Sequence, residues 1–140
     1  MILAIRIIGN VKKDMDILET LFRMRLRKKY TSVLITPTPE NMKLLKRMRN
    51  FIAYGDVTKE TMIKLIEKRG KLIGGSDKKI DATKVVENLE KKNLEAQGIK
   101  PYFRLHPPLK GIDCKVHFGT GKGVLGDNKD KINDLVRRML

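Results

Sequence analysis

The sequence predicts an α+β fold, because strand-like and helix-like segments alternate in the order β-α-β-α-β within its first 57 residues. Runs of β-branched apolar residues supply the strands, and the first run ends at Gly9-Asn10. Two amphipathic stretches between the runs have helical spacing of their apolar residues. Two helices on one face of such a sheet leave its other face bare, so we expect the rest of the chain to cover it.

The first strand is expected over residues 2–8, and a loop follows at residues 11–13. Asp14 or Asp16 can cap the next helix. Its buried stripe is expected to consist of four apolar residues, Ile17, Leu18, Leu21 and Phe22. The helix runs into a basic cluster at residues 25–29, where cations also suit the carbonyl end of the helix dipole.

A second strand is expected over residues 31–36, and Thr38-Pro39 then supplies an N-cap followed by proline at the first helical position. This second helix runs to about Asn50, before a third strand at residues 51–57. Its apolar side comprises Leu44, Leu45 and Met48, together with the following Phe51 and Ile52. Its opposite side carries Lys43, Lys46, Arg47 and Arg49. One face therefore suits a core, and the other suits solvent or a negatively charged partner.

Residues 58–140 are expected to form a helical C-terminal extension that packs back on the core of residues 1–57. The first part of the extension, residues 58–98, is predicted as a helical hairpin. A linker-like stretch at residues 72–79 separates its two helices, and the second helix is expected over residues 81–98.

A ribbon rich in proline and glycine follows at residues 99–126, with one predicted strand at residues 114–118. The chain closes on a helix at residues 128–140. Apolar residues of this helix recur at helical spacing, at Ile132, Leu135, Val136 and Met139. We therefore expect the closing helix to pack on the body of the protein.

The chain carries a formal charge of +15 over 140 residues, spread along its length. Such a surface is costly in self-repulsion and indicates a polyanionic partner. No apolar run approaches the roughly 20 residues of a membrane helix, and the start of the chain resembles a strand rather than a signal peptide. The single cysteine, Cys114, has no partner for a disulfide or a zinc knuckle. We expect a cytoplasmic protein with no metal, cofactor, membrane or small-molecule substrate.

Enzymatic activity is not expected, because no serine, histidine and aspartate set and no paired carboxylates stand out. Residues 121–126 (GKGVLG) match the dinucleotide pattern G-x-G-x-x-G, but the chain lacks the later strand and acidic residue of such a fold. A glycine-rich turn leading to a helix N-cap is favoured. Two alternatives remain: a small nucleotide-dependent enzyme, and a loop whose backbone N–H groups and Lys122 approach an RNA phosphate.

His106 lies in the stretch Leu105-His106-Pro107-Pro108, flanked by Arg104 and Lys110. Prolines hold this stretch extended. Two interpretations have equal support: a rigid surface crossing with a hydrogen-bonded histidine, or a stiff basic ribbon laid on RNA. His117 lies in an apolar strand and is expected to be a core or edge residue.

Basic residues recur in the first loop, after the first helix and on the second helix. A single charged helix face is usually just solvated, but three clusters together fit the phosphate contacts that dominate nucleic-acid affinity. The predicted RNA-binding residues are Lys12, Lys13, Arg25, Arg27, Lys28, Lys43, Lys46, Arg47, Arg104, His106, Lys110 and Lys122. Because only 5% of residues are aromatic, we expect readout of phosphate and shape without a stacking platform. A free-standing RNA- or DNA-binding regulator is the alternative function.

Several strings resemble one protein family in their order and spacing. They include Ile5-Arg6-Ile7-Ile8-Gly9-Asn10-Val11, the Thr38-Pro39 helix start, Phe51-Ile52-Ala53-Tyr54-Gly55-Asp56-Val57 and Lys68-Arg69-Gly70. The most specific are Phe103-Arg104-Leu105-His106-Pro107-Pro108-Leu109-Lys110-Gly111 and the tail Lys131-Ile132-Asn133-Asp134-Leu135. Across nearly the whole chain they resemble the universal large-subunit ribosomal protein family numbered thirty in bacteria and seven in eukaryotes, in its longer archaeal form.

This resemblance implies a ferredoxin-like β-α-β-α-β core with a three-stranded antiparallel sheet and two helices, plus the family's C-terminal extension. It also implies a structural role in the large subunit of the cytoplasmic ribosome, without catalysis. The implied partners are large-subunit rRNA and neighbouring ribosomal proteins, with 5S rRNA as a further candidate. The chain departs from the family's common pattern at Ile8, where relatives often carry arginine, and at Met42-Lys43, where they often carry Arg-Gly.

Overall fold

A computed structural model describes residues 1–11, 14–75, 80–89 and 92–140. It confirms the predicted α+β class and the β-α-β-α-β order of the core. The core elements are β1 (Ile2–Arg6), α1 (Met15–Arg23), β2 (Thr31–Ile35), α2 (Pro39–Arg47) and β3 (Ile52–Asp56). The later elements are α3 (Lys59–Arg69), α4 (Ala82–Asn88), β4 (Phe103–Arg104), β5 (Cys114–His117), β6 (Gly123–Asp127) and α5 (Ile132–Met139). Short 3₁₀ turns lie at Glu95–Gln97 and Lys129–Lys131.

The three core strands pair antiparallel, with β1 in the middle. Ala4 lies opposite Val33 of β2 on one side and Tyr54 of β3 on the other. The predicted three-stranded antiparallel core is confirmed, and the extension enlarges it to a sheet of six strands in the order β4-β2-β1-β3-β6-β5. Strands of the extension pair with both outer core strands and so satisfy backbone groups that would otherwise form exposed edges.

Helices α1 and α2 cover one face of the sheet. Leu21 of α1 and Leu45 of α2 are fully buried there, in a core shared with Ile2 and Ala4 of β1. Residues two apart on a strand point to the same face, so alternate residues of β1 serve this core. The amphipathic pattern of α2 is confirmed, since Leu45 and the following Met48 are buried while its cations are exposed.

The extension covers the opposite face of the sheet, as expected. Leu3 and Ile5 of β1 share a second core with apolar residues of α3, α4 and α5. Buried Asn133 of α5 joins these layers, because its side-chain amide donates to the carbonyl of Asp56 at 3.0 Å and its oxygen accepts from the backbone N–H of Thr58 at 3.0 Å. The sheet therefore lies between two helical layers.

Several predicted boundaries in the extension are wrong. The second helix of the hairpin ends at Asn88 instead of Gly98, and Gly98 closes a separate 3₁₀ turn with a left-handed φ of 75°. The closing helix begins at Ile132 rather than at residue 128. Buried Asn128 instead holds the turn after β6, since its amide donates to the carbonyls of Val124 (2.7 Å) and Gly126 (3.0 Å). Residues 76–79 of the predicted linker and residues 90–91 lie outside the described residues.

The predicted proline- and glycine-rich ribbon at residues 99–126 contains three strands instead of one. Residues 121–122 form a turn, as the favoured interpretation expected, but Gly123 opens β6, so the turn leads into a strand and not to a helix cap. A side chain at Gly123 would clash with the backbone carbonyl of His117, so glycine allows these chain segments to approach each other. None of the helices in the described ranges has the length and apolarity needed to cross a membrane.

Candidate nucleic-acid interface

Arg6 is a buried cation at the end of β1, with 2% of its surface exposed. Its guanidinium donates to the carbonyls of Ile8 (2.8 Å), Leu26 (2.8 Å) and Arg27 (3.0 Å), and to the side-chain oxygen of Asn10. Burial lowers the pKa of Arg6 from its ordinary value, although a guanidinium stays protonated in proteins. Arg6 therefore holds the loop between α1 and β2 in place through its backbone carbonyls.

The basic cluster predicted at the end of the first helix lies in this loop instead, because α1 ends at Arg23. Arg25 and Tyr30 both adopt left-handed backbone conformations, with φ of 62° at each. Such conformations are strained in residues other than glycine and persist where surrounding contacts impose them. The bonds from Arg6 turn the loop carbonyls inward, while the side chains of Arg25, Arg27 and Lys28 are exposed.

A groove of about 600 Å³ lies between this loop and edge strand β4. We call it the Phe22 groove. Its lining includes two aromatic residues and four of the predicted RNA-binding residues, namely Phe22, Tyr102, Arg25, Arg27, Lys28 and Arg104. The pairing of β2 with β4 brings these parts together, since Thr31 lies opposite Arg104. The structure thus joins two basic clusters that are more than 70 residues apart in the sequence.

Phe22 does not belong to the buried stripe of α1, contrary to the prediction. Its side chain is 54% exposed, and the guanidinium carbon of Arg27 lies 4.0 Å from the centre of its ring. At this distance the cation is attracted by the electron-rich face of the ring. The ring and the guanidinium thus form an exposed aromatic and cationic surface at the border of a basic groove.

A second, smaller cavity of about 130 Å³ adjoins the Phe22 groove, with which it shares Tyr102 and Arg104. It adds four cations that sequence reasoning missed, Lys68, Arg69, Lys71 and Lys100. Cations at the end of α3 also suit the helix dipole. This structural reason for their presence makes a contribution to a binding surface hard to predict from the sequence. The signal available in the sequence is the Lys68-Arg69-Gly70 string, which also contributes to the family resemblance.

The cations of α2 form a separate surface. Thr38 caps this helix by accepting a hydrogen bond from the backbone N–H of Asn41 at 3.3 Å. Lys43, Lys46 and Arg47 are exposed, and within the described part of the chain they form no ion pair. The helix contains one acidic residue, Glu40, in its first turn, away from the cations of its last turn. These three cations do not line the Phe22 groove.

The ribbon around His106 is anchored through its backbone. The N–H of His106 donates to the carbonyl of Met139 at 3.0 Å, and the N–H of Leu109 donates to the carbonyl of Arg138 at 2.9 Å. The side chains of His106 and Lys110 remain exposed. The ribbon thus crosses the end of α5 in a fixed position, which is compatible with either interpretation made from the sequence.

Lys122 lies near the opposite edge of the sheet from Arg104, in the turn between β5 and β6. It is exposed and forms an ion pair with Asp113 at 3.5 Å. His117 is an exposed residue of β5, which is the outermost strand at that end, so the edge position expected for it is confirmed. Lys12 and Lys13 lie outside the described residues.

The acidic and metal-binding side chains in the described ranges do not gather into a site. No group of three or more His, Cys, Asp or Glu residues is placed there to hold a metal ion. Cys114 is free and exposed. The candidate functional surface is therefore considered through its cations, four of which line the Phe22 groove.

The chain is similar over nearly its whole length to archaeal proteins named large ribosomal subunit protein uL30. The protein of that name from Methanococcus maripaludis is 35% identical, over 98% of this chain and 97% of its own length. Those from Archaeoglobus fulgidus and Pyrobaculum islandicum are 33% and 29% identical, over 99% and 98% of this chain and 99% and 92% of their own lengths. No family model matches the chain.

Proposed function

The chain belongs to the uL30 family of large ribosomal subunit proteins, and we propose on this premise that it binds and stabilises folded large-subunit rRNA. The observation that carries the proposal is identity above 30% to relatives over essentially the full length of both chains. The role is structural rather than enzymatic, and the place of action is the large subunit of the cytoplasmic ribosome. Its partners there are rRNA and neighbouring ribosomal proteins.

The residues that contact RNA are proposed from charge, exposure and position. The Phe22 groove supplies Arg25, Arg27, Lys28 and Arg104, and the exposed side of α2 supplies Lys43, Lys46 and Arg47. Exposed cations on a rigid scaffold suit phosphate groups, whose neutralisation dominates nucleic-acid affinity. Lys12, Lys13, His106, Lys110 and Lys122 extend the proposed interface, and 5S rRNA is proposed as a further contact.

Both parts of the chain contribute to this interface. The division into a core of residues 1–57 and an extension of residues 58–140 remains our proposal. Arg104 lies in the extension, while Arg25, Arg27 and Lys28 lie in the core. We therefore propose that the extension completes the RNA-binding surface as well as covering the sheet.

Sedimentation of native cell extract tests the ribosomal role directly. The epitope-tagged chain should follow the large-subunit peak at low magnesium, where subunits separate, and should remain there after a moderate salt wash. A free-standing RNA- or DNA-binding regulator would instead remain near the top of the gradient. Absence of the chain from the large-subunit peak would refute the proposed function.

A further inference from the structure

We propose that the Phe22 groove holds an unpaired RNA nucleotide, with its base stacked on the Phe22–Arg27 pair and its phosphates on the surrounding cations. This inference rests on the proposed function and names the kind of RNA that one part of the interface recognises. It differs from phosphate and shape readout, because it requires a base that is not stacked in a duplex.

The dimensions of the groove fit such a ligand. Its volume of about 600 Å³ lies within the roughly 300–1,000 Å³ typical of sites that enclose small molecules. The adjoining cavity around Lys71 and Lys100 provides room and charge for the next phosphate along the strand. A continuous basic path past Tyr102 and Arg104 therefore suits a short single-stranded segment.

The stacking surface is the second argument. Phe22 is a large aromatic residue with 54% of its side chain exposed, on the rim of a groove whose other members are mainly cationic. The Arg27 guanidinium lies over one face of the ring, with its carbon 4.0 Å from the ring centre, so a base can stack on the outer plane of the guanidinium or on the other face of the ring. Proteins that recognise single-stranded RNA stack bases on aromatic rings and on arginine planes. A site that binds only phosphates gains little from such a ring.

The charges around this surface are the third argument. Arg25, Lys28 and Arg104 line the groove, and its lining contains no acidic residue from the ranges that the structure describes. Arg25 also pairs with Glu95, which lies outside the lining. This exposed ion pair holds the arginine at the rim of the groove. Exposed ion pairs are weak, so a phosphate can compete for the same guanidinium.

Rigidity of the loop is the fourth argument. Arg6 holds the carbonyls of Leu26 and Arg27 with bonds of 2.8 and 3.0 Å. The left-handed conformations at Arg25 and Tyr30 are thereby maintained before any RNA is present. A binding surface that is already ordered loses less conformational freedom on binding, so it can retain a single nucleotide more tightly.

Equilibrium binding of two matched RNA probes tests the inference. One probe is single-stranded hexaadenylate, and the other is a hexamer of the same charge whose riboses carry no bases. The full chain should bind the base-bearing hexamer about 10-fold more tightly, since stacking contributes to affinity independently of phosphate charge. Phe22→Leu should abolish this preference, because affinity for hexaadenylate should fall to that for the abasic hexamer.

Val116→Ala is the matched control, because Val116 is another exposed apolar residue, 43% exposed on β5 at the opposite end of the sheet. It should keep the preference for base-bearing RNA. Circular dichroism melting verifies that each variant is folded. Equal affinity for the two hexamers, binding of neither, or a preference that survives in Phe22→Leu would overturn the inference.

Sedimentation and RNA binding of the wild-type protein, taken together, separate this inference from the proposed function. Sedimentation of wild-type protein with the large subunit, together with equal affinity for the two hexamers, would refute only the nucleotide site. Failure of wild-type protein to sediment with the large subunit would refute the ribosomal role. A base preference that depends on Phe22 would in that case still assign the groove to single-stranded RNA.

Discussion

Replacing Arg6 with methionine tests whether one buried side chain maintains the proposed RNA-binding loop. Methionine fills a similar volume but donates no hydrogen bonds, so the carbonyls of Ile8, Leu26 and Arg27 are left without their donor. The bond to Leu26 is fully buried, and the others are partly buried. A buried acceptor without a partner costs about 1–3 kcal/mol and each partly buried bond about 0.5–1.5 kcal/mol. The expected loss of stability is about 3–5 kcal/mol after the apolar gain from methionine.

Thermal unfolding followed by circular dichroism measures this loss. For a chain of this length about 1 kcal/mol lowers Tm by roughly 3 °C, so Tm should fall by about 10–15 °C. Below that transition, affinity for large-subunit rRNA should also fall, because the carbonyl bonds that order Arg25 and Arg27 are gone. Arg6→Lys should recover only part of the stability, since an ammonium lacks the planar fork that reaches several oxygens.

Arg23→Lys is the matched control for Arg6. Arg23 is an exposed cation whose ion pair with Glu19 spans 2.6 Å on the surface of α1. Exposed pairs of this kind contribute about 0.3–0.5 kcal/mol, so Tm should change by no more than about 2 °C. The reasoning about Arg6 is refuted if Arg6→Met shifts Tm as little as this control.

Three further outcomes are expected. The double variant Lys43→Ala with Arg47→Ala should flatten the plot of log affinity for rRNA against log salt concentration. The slope should change by roughly one unit for each phosphate that the variant no longer neutralises. An unchanged slope would remove α2 from the proposed interface. Thr38→Ala should destabilise the protein by about 1 kcal/mol in urea unfolding, because the α2 cap is removed, whereas Thr38→Ser should cost little. Gly55→Ala should lower Tm by about 6 °C or more, because the added carbon clashes with the backbone carbonyl of Lys129 and displaces the turn that enters α5. An unaltered Tm would contradict this close packing.

The β-α-β-α-β core was predictable because each of its signals is local. Thr38-Pro39 marks the start of α2, and the spacing of Leu45 and Met48 gives its buried side. Among the three added strands, β5 was predicted from its local pattern at residues 114–118, whereas β4 and β6 lack such signals. β4 is only two residues long, and β6 contains Gly123 and Gly126, so neither shows the alternating apolar pattern of a half-buried strand. Their positions depend on long-range pairing with β2 and β3, which no local window contains.

The candidate site was predictable in its charges but not in its geometry. Arg25, Arg27, Lys28 and Arg104 are all indicated by composition and clustering, yet their shared groove follows from the pairing of Thr31 with Arg104. Phe22 was expected in the core because helical periodicity places it beside Leu21. Periodicity gives the direction of a side chain around a helix, but it does not show whether another element covers that position. The buried hydrogen bonds of Arg6 could have been predicted from the sequence, since a cation in an apolar strand requires buried partners.

The second role proposed for the extension follows from the pairing of the sheet. Without the extension, Leu3 and Ile5 would face water, although both are fully buried here. Covering that face requires α3, α4 and α5, but it does not require a strand on the free edge of β2. β4 contributes little to that core beyond Phe103, whereas it sets Arg104 opposite Thr31 and Tyr102 beside the groove. The two paired residues of β4 thus protect the edge of β2 and also bring together the two parts of the proposed binding surface, so a very short strand has a large effect on the arrangement of charge.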